Sequence, residues 1–149
     1  MRHRRATVRL NQKPAHARML KRNLITSLLL YENIRTTKRR AQAIQPLVDT
    51  LIHYAKNRSP HVAIRYINRE VTDKNACRKI MEVYVKRYAT RNSGLSRIVA
   101  AGARKGDNAE LVDLMLLDSD VKIEPVAKKE KAEKPVKKAP AKKTSASKK

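Results

Sequence analysis

The sequence predicts an α+β fold: a two-layer helix/sheet domain in the order α-β-α-α-α-β-β, with an extended basic N-terminal arm and a disordered Lys-rich C-terminal tail. Three observations predict it. Helical spacing of apolar residues dominates from Pro14 to Tyr88, with one short alternating run inside it. After Ser93-Gly94 the pattern switches to two strand-like runs around a Gly-containing turn. Composition breaks near both ends, which divides the chain into an arm (1–12), a globular domain (13–120) and a tail (121–149).

The elements follow in order. Residues 1–12 show no clean period and read as an arm. Pro14 suits a first helical turn. The helix to Tyr31 is basic in its first half (Arg18, Lys21, Arg22) and apolar nearly all round in its second (Leu24, Ile25, Leu28, Leu29, Leu30). Its first half should therefore meet solvent or a ligand, and its second half the core. Asn33-Ile34-Arg35-Thr36-Thr37 alternates and is rich in β-branched residues, as a short strand is, and Thr37 is placed to cap the next helix. There Ile44, Leu47, Val48, Leu51, Ile52 and Ala55 form the best amphipathic stripe in the chain. Pro46 lies within it, so the helix either kinks there or begins near Gln45.

Ser59-Pro60 supplies a cap and a first-turn proline for a short helix, with Ala63, Tyr66 and Ile67 on one face and Arg65 and Arg69 away from it. Asp73 caps a further helix whose stripe is Cys77, Ile80, Met81, Tyr84 and Tyr88, which makes Cys77 a small core residue. Leu95–Ala101 and Ala109–Leu117 flank the turn segment Gly102–Asn108, and an antiparallel hairpin is the simplest connection. With the early strand it forms a small sheet, covered by helices on one face. From about Glu124 the chain is Lys, Ala and Pro, without the apolar mass to offset the entropy of ordering.

Charge narrows the function classes. The 149 residues hold 36 Lys or Arg and 13 Asp or Glu, a net charge of +23. Such a charge repels itself and calls for a polyanionic partner, nucleic acid before an anionic membrane. It is unevenly placed: residues 1–40 carry +11, residues 41–120 carry +4 and residues 121–149 carry +8. The front block is Arg-rich and the tail has Lys but no Arg. Arginine offers a planar fork to phosphates and bases, whereas lysine is a mobile point charge. The arm thus reads as a specific contact surface and the tail as a diffuse one.

Other classes fall away. One cysteine cannot form an intramolecular disulfide, and with four scattered histidines it gives no zinc-binding pattern. No apolar run reaches the roughly 20 residues that span a bilayer, and no apolar stretch follows the first charges as in a secretory signal. A soluble cytoplasmic protein is expected. Phosphate-loop, dinucleotide-binding and nucleophile-elbow motifs are missing, and Gly106-Asp107-Asn108 reads as a turn before it reads as a catalytic carboxylate. The expectation is no enzyme, no catalytic residue, no metal, no cofactor and no small-molecule substrate. Without Phe or Trp there is no aromatic platform for stacking bases, so contacts should go to phosphate, ribose and the shape of folded RNA.

The order of several short motifs carries a resemblance. Met1-Arg2-His3-Arg4, Arg9-Leu10-Asn11, His16, Arg22-Asn23, Ile34-Arg35-Thr36-Thr37, Gly94-x-Ser-Arg97 and Gly106-Asp107-Asn108-Ala109 follow one another as in one family. Over roughly residues 1–118 the chain resembles bacterial large-subunit ribosomal protein seventeen. The resemblance implies the same α-β-α-α-α-β-β fold. It also implies a structural role in the large ribosomal subunit, bound to large-subunit ribosomal RNA near the polypeptide exit tunnel with other large-subunit proteins as neighbours. Three positions depart from the family pattern. Ala17 stands where an Arg commonly follows the His16 match, Leu95 where Tyr is common, and Glu110 where Pro is common. The last would add an acid near the hairpin and loosen its turn.

The candidate RNA-binding residues are Arg2, Arg4, Arg5, Arg9, Arg18, Lys21 and Arg22 of the arm and first helix, extended by Arg35 and Lys38, with Arg97 and Arg104 from the hairpin. The motifs of the resemblance add His3, Asn11, His16, Thr36 and Thr37. A DNA-compacting, histone-like protein is the alternative that the Lys-Ala-Pro tail would suit. A membrane-surface protein would need an exposed apolar helix face, and the Ile44–Ala55 stripe is better placed in a core.

Overall fold

The computed structural model describes residues 8–118. Within them α1 (Pro14–Tyr31), β1 (Asn33–Thr37), α2 (Lys38–Asn57), α3 (Pro60–Glu70) and α4 (Lys74–Lys79) follow in order. α4 runs through a π-helical turn (Ile80–Tyr84) into α5 (Val85–Arg87), and β2 (Ser96–Ala103) and β3 (Glu110–Leu116) complete the fold. The expected α+β order is the observed one, with α4, the π turn and α5 making up the fourth helical rod. The expected disordered tail and most of the arm lie outside the described residues.

β3 is the central strand of an antiparallel sheet ordered β1-β3-β2. Ile34 pairs with Leu114 on one side, and Ile98 pairs with the same residue on the other. β2 runs two residues beyond the expected Ala101 because a bulge between Ala100 and Gly102 lets pairing continue to Ala103 and Glu110. Gly102 takes a φ of 98° there, which suits a residue without Cβ.

One core lies between the helices and the inner sheet face. Ile25, Leu28 and Leu29 of α1, Ile44, Val48 and Ile52 of α2, Ile67 of α3 and Leu114 of β3 are wholly buried. Each such side chain contributes about 1.5–3 kcal/mol by leaving water. Pro46 does not start α2. The helix runs from Lys38 through it, and Thr50 Oγ1 donates to the Pro46 carbonyl at 2.8 Å. Asp73 caps α4 as expected, accepting the Asn75 N–H at 2.7 Å. Thr37 and Ser59 occupy N-cap positions, but neither side chain makes a capping hydrogen bond. At Ser59 the backbone carbonyl takes that place, accepting from Val62 and Ala63. Cys77 is buried and burial pushes its thiol pKa up, which fits a packing residue.

A buried carboxylate ties the layers together. α1 ends at Glu32, which takes a left-handed φ of 62° while its N–H bonds the Leu28 carbonyl. Its carbonyl accepts from Leu116 of β3, and its carboxylate meets Lys79 at 2.7 Å and Arg87 at 2.8 Å. Eight positions apart, those two cations would sit about 80° off a common face in a regular helix. The π turn between them absorbs the extra residue and brings both to Glu32. Tyr84, inside that turn, donates its hydroxyl to the Leu29 carbonyl at 2.5 Å.

Candidate nucleic-acid interface

The candidate cations divide by what faces them. Arg2, His3, Arg4 and Arg5 lie outside the described residues. Arg9, Asn11, His16 and Arg18 are exposed, and Lys21 and Arg22 are half-buried on α1. Arg9, Arg18 and Lys21 line one open groove with Leu10, Leu47 and Glu70. Arg18 and Arg22 line a second with Arg69 and Glu70. Among the described residues none of Arg9, Arg18, Lys21 and Arg22 forms an ion pair with an acid.

Local folding explains this grouping. The basic half of α1 projects past the core, while Thr26 anchors the helix below it. Thr26 Oγ1 donates to the Arg22 carbonyl and accepts the Thr72 N–H. That contact brings the C-terminal end of α3 against α1, where Arg22 Nη2 donates to the Arg69 carbonyl. Arg69 thus joins the basic surface although its helix stripe points it away from the core. Only the α1–α3 packing places it beside Arg22, 47 positions away in the chain. No local pattern could have shown it.

The candidate cations on and beside the sheet, Arg35 and Arg97 on its strands, Lys38 at the start of α2 and Arg104 in the hairpin turn, are arranged differently. Arg35 is held by Asp113, its register partner on β3, through Nε at 2.8 Å and Nη2 at 3.0 Å. That bidentate contact raises the Arg35 pKa and leaves less of its fork open to a ligand. Lys38 meets Glu110 at 2.9 Å. Arg104 binds Asp107, and with the Ala109 N–H it holds the Asp107 carboxyl down to about 2. Asp107 is thus a turn residue, as its sequence context suggests. The hairpin stays closed, with Arg104 N–H on the Ala109 carbonyl at 2.9 Å, and the acid at Glu110 is taken up by Lys38. Arg97 is exposed on β2 and has no acid partner among the described residues.

Two further positions refine the candidate set. Thr36 is buried on the inner sheet face, so its side chain supports β1 from within. Leu95 is 1 % exposed, so the position where Tyr is common in the resembling family is a core position in this chain. Thr37, Lys38, Arg39 and Gln42 border a recess at the start of α2. Its first turn has no acidic residue and no side-chain cap, so the dipole and three successive cations there share one sign. Arg39 lines this recess beside Lys38, a placement that nothing local in the sequence marked.

Tyr66 stacks on Tyr54 with ring centroids 4.0 Å apart, and Tyr84 and Tyr88 are fully buried. The tyrosines expected to pack do so. Among the described residues no group of acids, His or Cys is placed to hold a metal, and no helix is long and apolar enough to cross a membrane.

Comparison with known proteins joins these observations to the motif order. A family model described as ribosomal protein L17 matches residues 20–117, from within α1 to just past β3. The large ribosomal subunit protein bL17 of Allorhizobium ampelinum is 36% identical over 121 residues, covering 81% of this chain and 85% of the relative. That of Hyphomonas neptunium is 38% identical over 120 residues, covering 80% and 85%. That of Chloroflexus aggregans is 38% identical over 117 residues, covering 78% of this chain and all of the relative. With matches of this extent over one continuous α-β-α-α-α-β-β domain, the chain belongs to the ribosomal protein L17 family.

Proposed function

We propose that this protein binds and stabilises folded large-subunit ribosomal RNA near the polypeptide exit tunnel. Its general place follows from the family: it is a structural, non-enzymatic constituent of the large ribosomal subunit and serves translation there. The RNA-facing surface is the arm (1–12) together with the basic half of α1, and the globular domain (13–120) is the scaffold that presents it. The Lys-rich tail (121–149) adds diffuse attraction. Neighbouring large-subunit proteins are its other partners.

One observation carries this reading. The cations of α1 stand without acid partners among the described residues, while Arg35, Lys38 and Arg104, on and beside the sheet, are each paired with an acid. Unpaired arginines in open grooves suit phosphate, which they meet through charge-assisted, often bidentate hydrogen bonds. Asn11 and His16 are exposed and offer further polar groups, and Arg97 is an exposed sheet cation without an acid partner among the described residues.

Deletion of residues 2–9 tests the arm. It removes Arg2, Arg4, Arg5 and Arg9, so the slope of log affinity against log salt on large-subunit ribosomal RNA should flatten by about 3–4 units. An unchanged slope would remove the arm from the interface. A histone-like role instead predicts binding that ignores RNA structure and cosedimentation with DNA. Comigration with the large subunit at high salt decides against it.

A further inference from the structure

The surface proposed for RNA contains one place where the fold, rather than the composition, gathers positive charge. Arg18 and Arg22 are four residues apart on α1, a spacing at which like charges repel. The seam with α3 brings a third guanidinium, Arg69, to the same groove, an opening of ≈ 430 Å³ lined by Arg18, Arg22, Arg69 and Glu70. Three cations thus share one carboxylate, whose Oε1 lies 3.4 Å from Arg69 Nε. Arg22 is held in place by its bond to the Arg69 carbonyl, yet its Nε is buried without a hydrogen-bond partner among the described residues. Buried donors are rarely left so.

We propose that Arg18, Arg22 and Arg69 form a phosphate clamp that takes a phosphodiester group of RNA across the α1–α3 seam. The proposal rests on the RNA-binding reading above and deepens it. The like charges at this seam repel, which weakens the junction that the Arg22–Arg69 and Thr26–Thr72 hydrogen bonds make. An anion in the groove reverses the sign of that interaction and strengthens the junction. Planar guanidinium forks match the paired oxygens of a phosphodiester, which a lysine cluster would not. Glu70 stands 3.4 Å from Arg69 Nε without a hydrogen bond, so the Arg69 guanidinium keeps donors for the ligand. Binding of the backbone then reinforces a seam that the Arg22–Arg69 and Thr26–Thr72 hydrogen bonds already form, and Arg69 is an RNA contact supplied by a helix outside the basic N-terminal block.

Thermal unfolding of the full chain with millimolar inorganic phosphate, ionic strength being fixed with chloride, tests the clamp. Phosphate should raise the Tm of the unsubstituted protein. Arg69→Gln and Arg18→Gln should lose most of that rise, while Lys86→Gln, an exposed charge on α5 outside the groove, should keep it. Arg18 is exposed and makes no hydrogen bond among the described residues, so its variant keeps the test open if Arg69→Gln fails to fold. A full phosphate response in Arg18→Gln or in folded Arg69→Gln overturns the clamp. On ribosomal RNA, Arg69→Gln should flatten the salt slope by roughly 0.7–0.9. An unchanged slope there, beside a flattened one for the 2–9 deletion, rejects the clamp and leaves the RNA reading standing. Unchanged slopes in both reject the RNA reading itself.

Discussion

The α1–α3 seam and the hairpin end of the sheet are both rich in arginine and lysine, but the hairpin end holds three acids paired with its cations and the seam one. At the hairpin end Arg35 has Asp113, Lys38 has Glu110 and Arg104 has Asp107, while Arg39, Arg40, Arg97 and Lys105 have no acid partner among the described residues. At the seam Arg9, Arg18, Lys21, Arg22 and Arg69 have Glu70 alone. A cation with a partner on its own or a neighbouring strand spends its field locally. The exposed Lys38–Glu110 pair contributes only about 0–1 kcal/mol to stability, yet it removes one net charge from that surface. A cation without a partner projects its field outward, where a polyanion can use it. Counting basic residues does not separate the two regions, whereas locating the acids does.

Internal pairing should cost stability when broken, and the largest such effect is expected at Glu32. Glu32→Gln leaves Lys79 and Arg87 partly buried without their anion and should cost about 3 kcal/mol in denaturant unfolding. Burial by itself would raise the Glu32 pKa, but the hydrogen bonds from Arg87 and Lys79 outweigh it and hold the group below its ordinary 4.5. A depressed carboxyl stabilises the fold above its unfolded pKa and stops doing so as pH falls through its folded value. The stability gap between the unsubstituted protein and Glu32→Gln should therefore be full at pH 7 and shrink below about pH 4.5. A gap equally wide at low pH would contradict the ion-pair account.

Asp113→Asn comes next and tests the comparison from the other side. It breaks the bidentate contact to Arg35 and should lower stability in denaturant unfolding, by less than Glu32→Gln because the Arg35 side chain is largely exposed. Its second consequence separates it from an ordinary destabilising change. The released Arg35 should behave like a seam cation and steepen the RNA salt slope by up to roughly 0.9. An unaltered slope in the folded variant would mean that this sheet face does not meet RNA. The smallest effect is expected from removal of the tail after Val121, which should lower RNA affinity modestly and leave incorporation into the large subunit intact. Loss of incorporation would give the tail a specific role.

Much of the fold was legible because it depends on local periodicity. The Ile44–Ala55 stripe, the Asp73 cap and the switch to strands after Gly94 are short-range signals, and the structure follows them. The π turn was not legible, since its cause is a tertiary demand: Lys79 and Arg87 must both reach Glu32. Pro46 stayed ambiguous because nothing in the sequence says whether the flanking turns are anchored by packing. In the candidate site, the Arg content of α1 was visible, but its pairing state was not. Arg35 and Asp113 are 78 residues apart, and their contact follows from strand register. Arg69 joined the site for the same kind of reason, through the seam between α1 and α3.

The central claim, that unpaired cations and not cations as such form the RNA surface, is tested most directly by two charge-matched double variants. Arg18→Gln with Lys21→Gln removes two seam charges, and Lys38→Gln with Arg104→Gln removes two hairpin charges. Binding to large-subunit ribosomal RNA is measured for both across a salt series. The first pair should flatten the slope by roughly 1.4–1.8 and the second should leave it nearly unchanged. Equal flattening by both pairs, or flattening by the hairpin pair alone, would contradict the account.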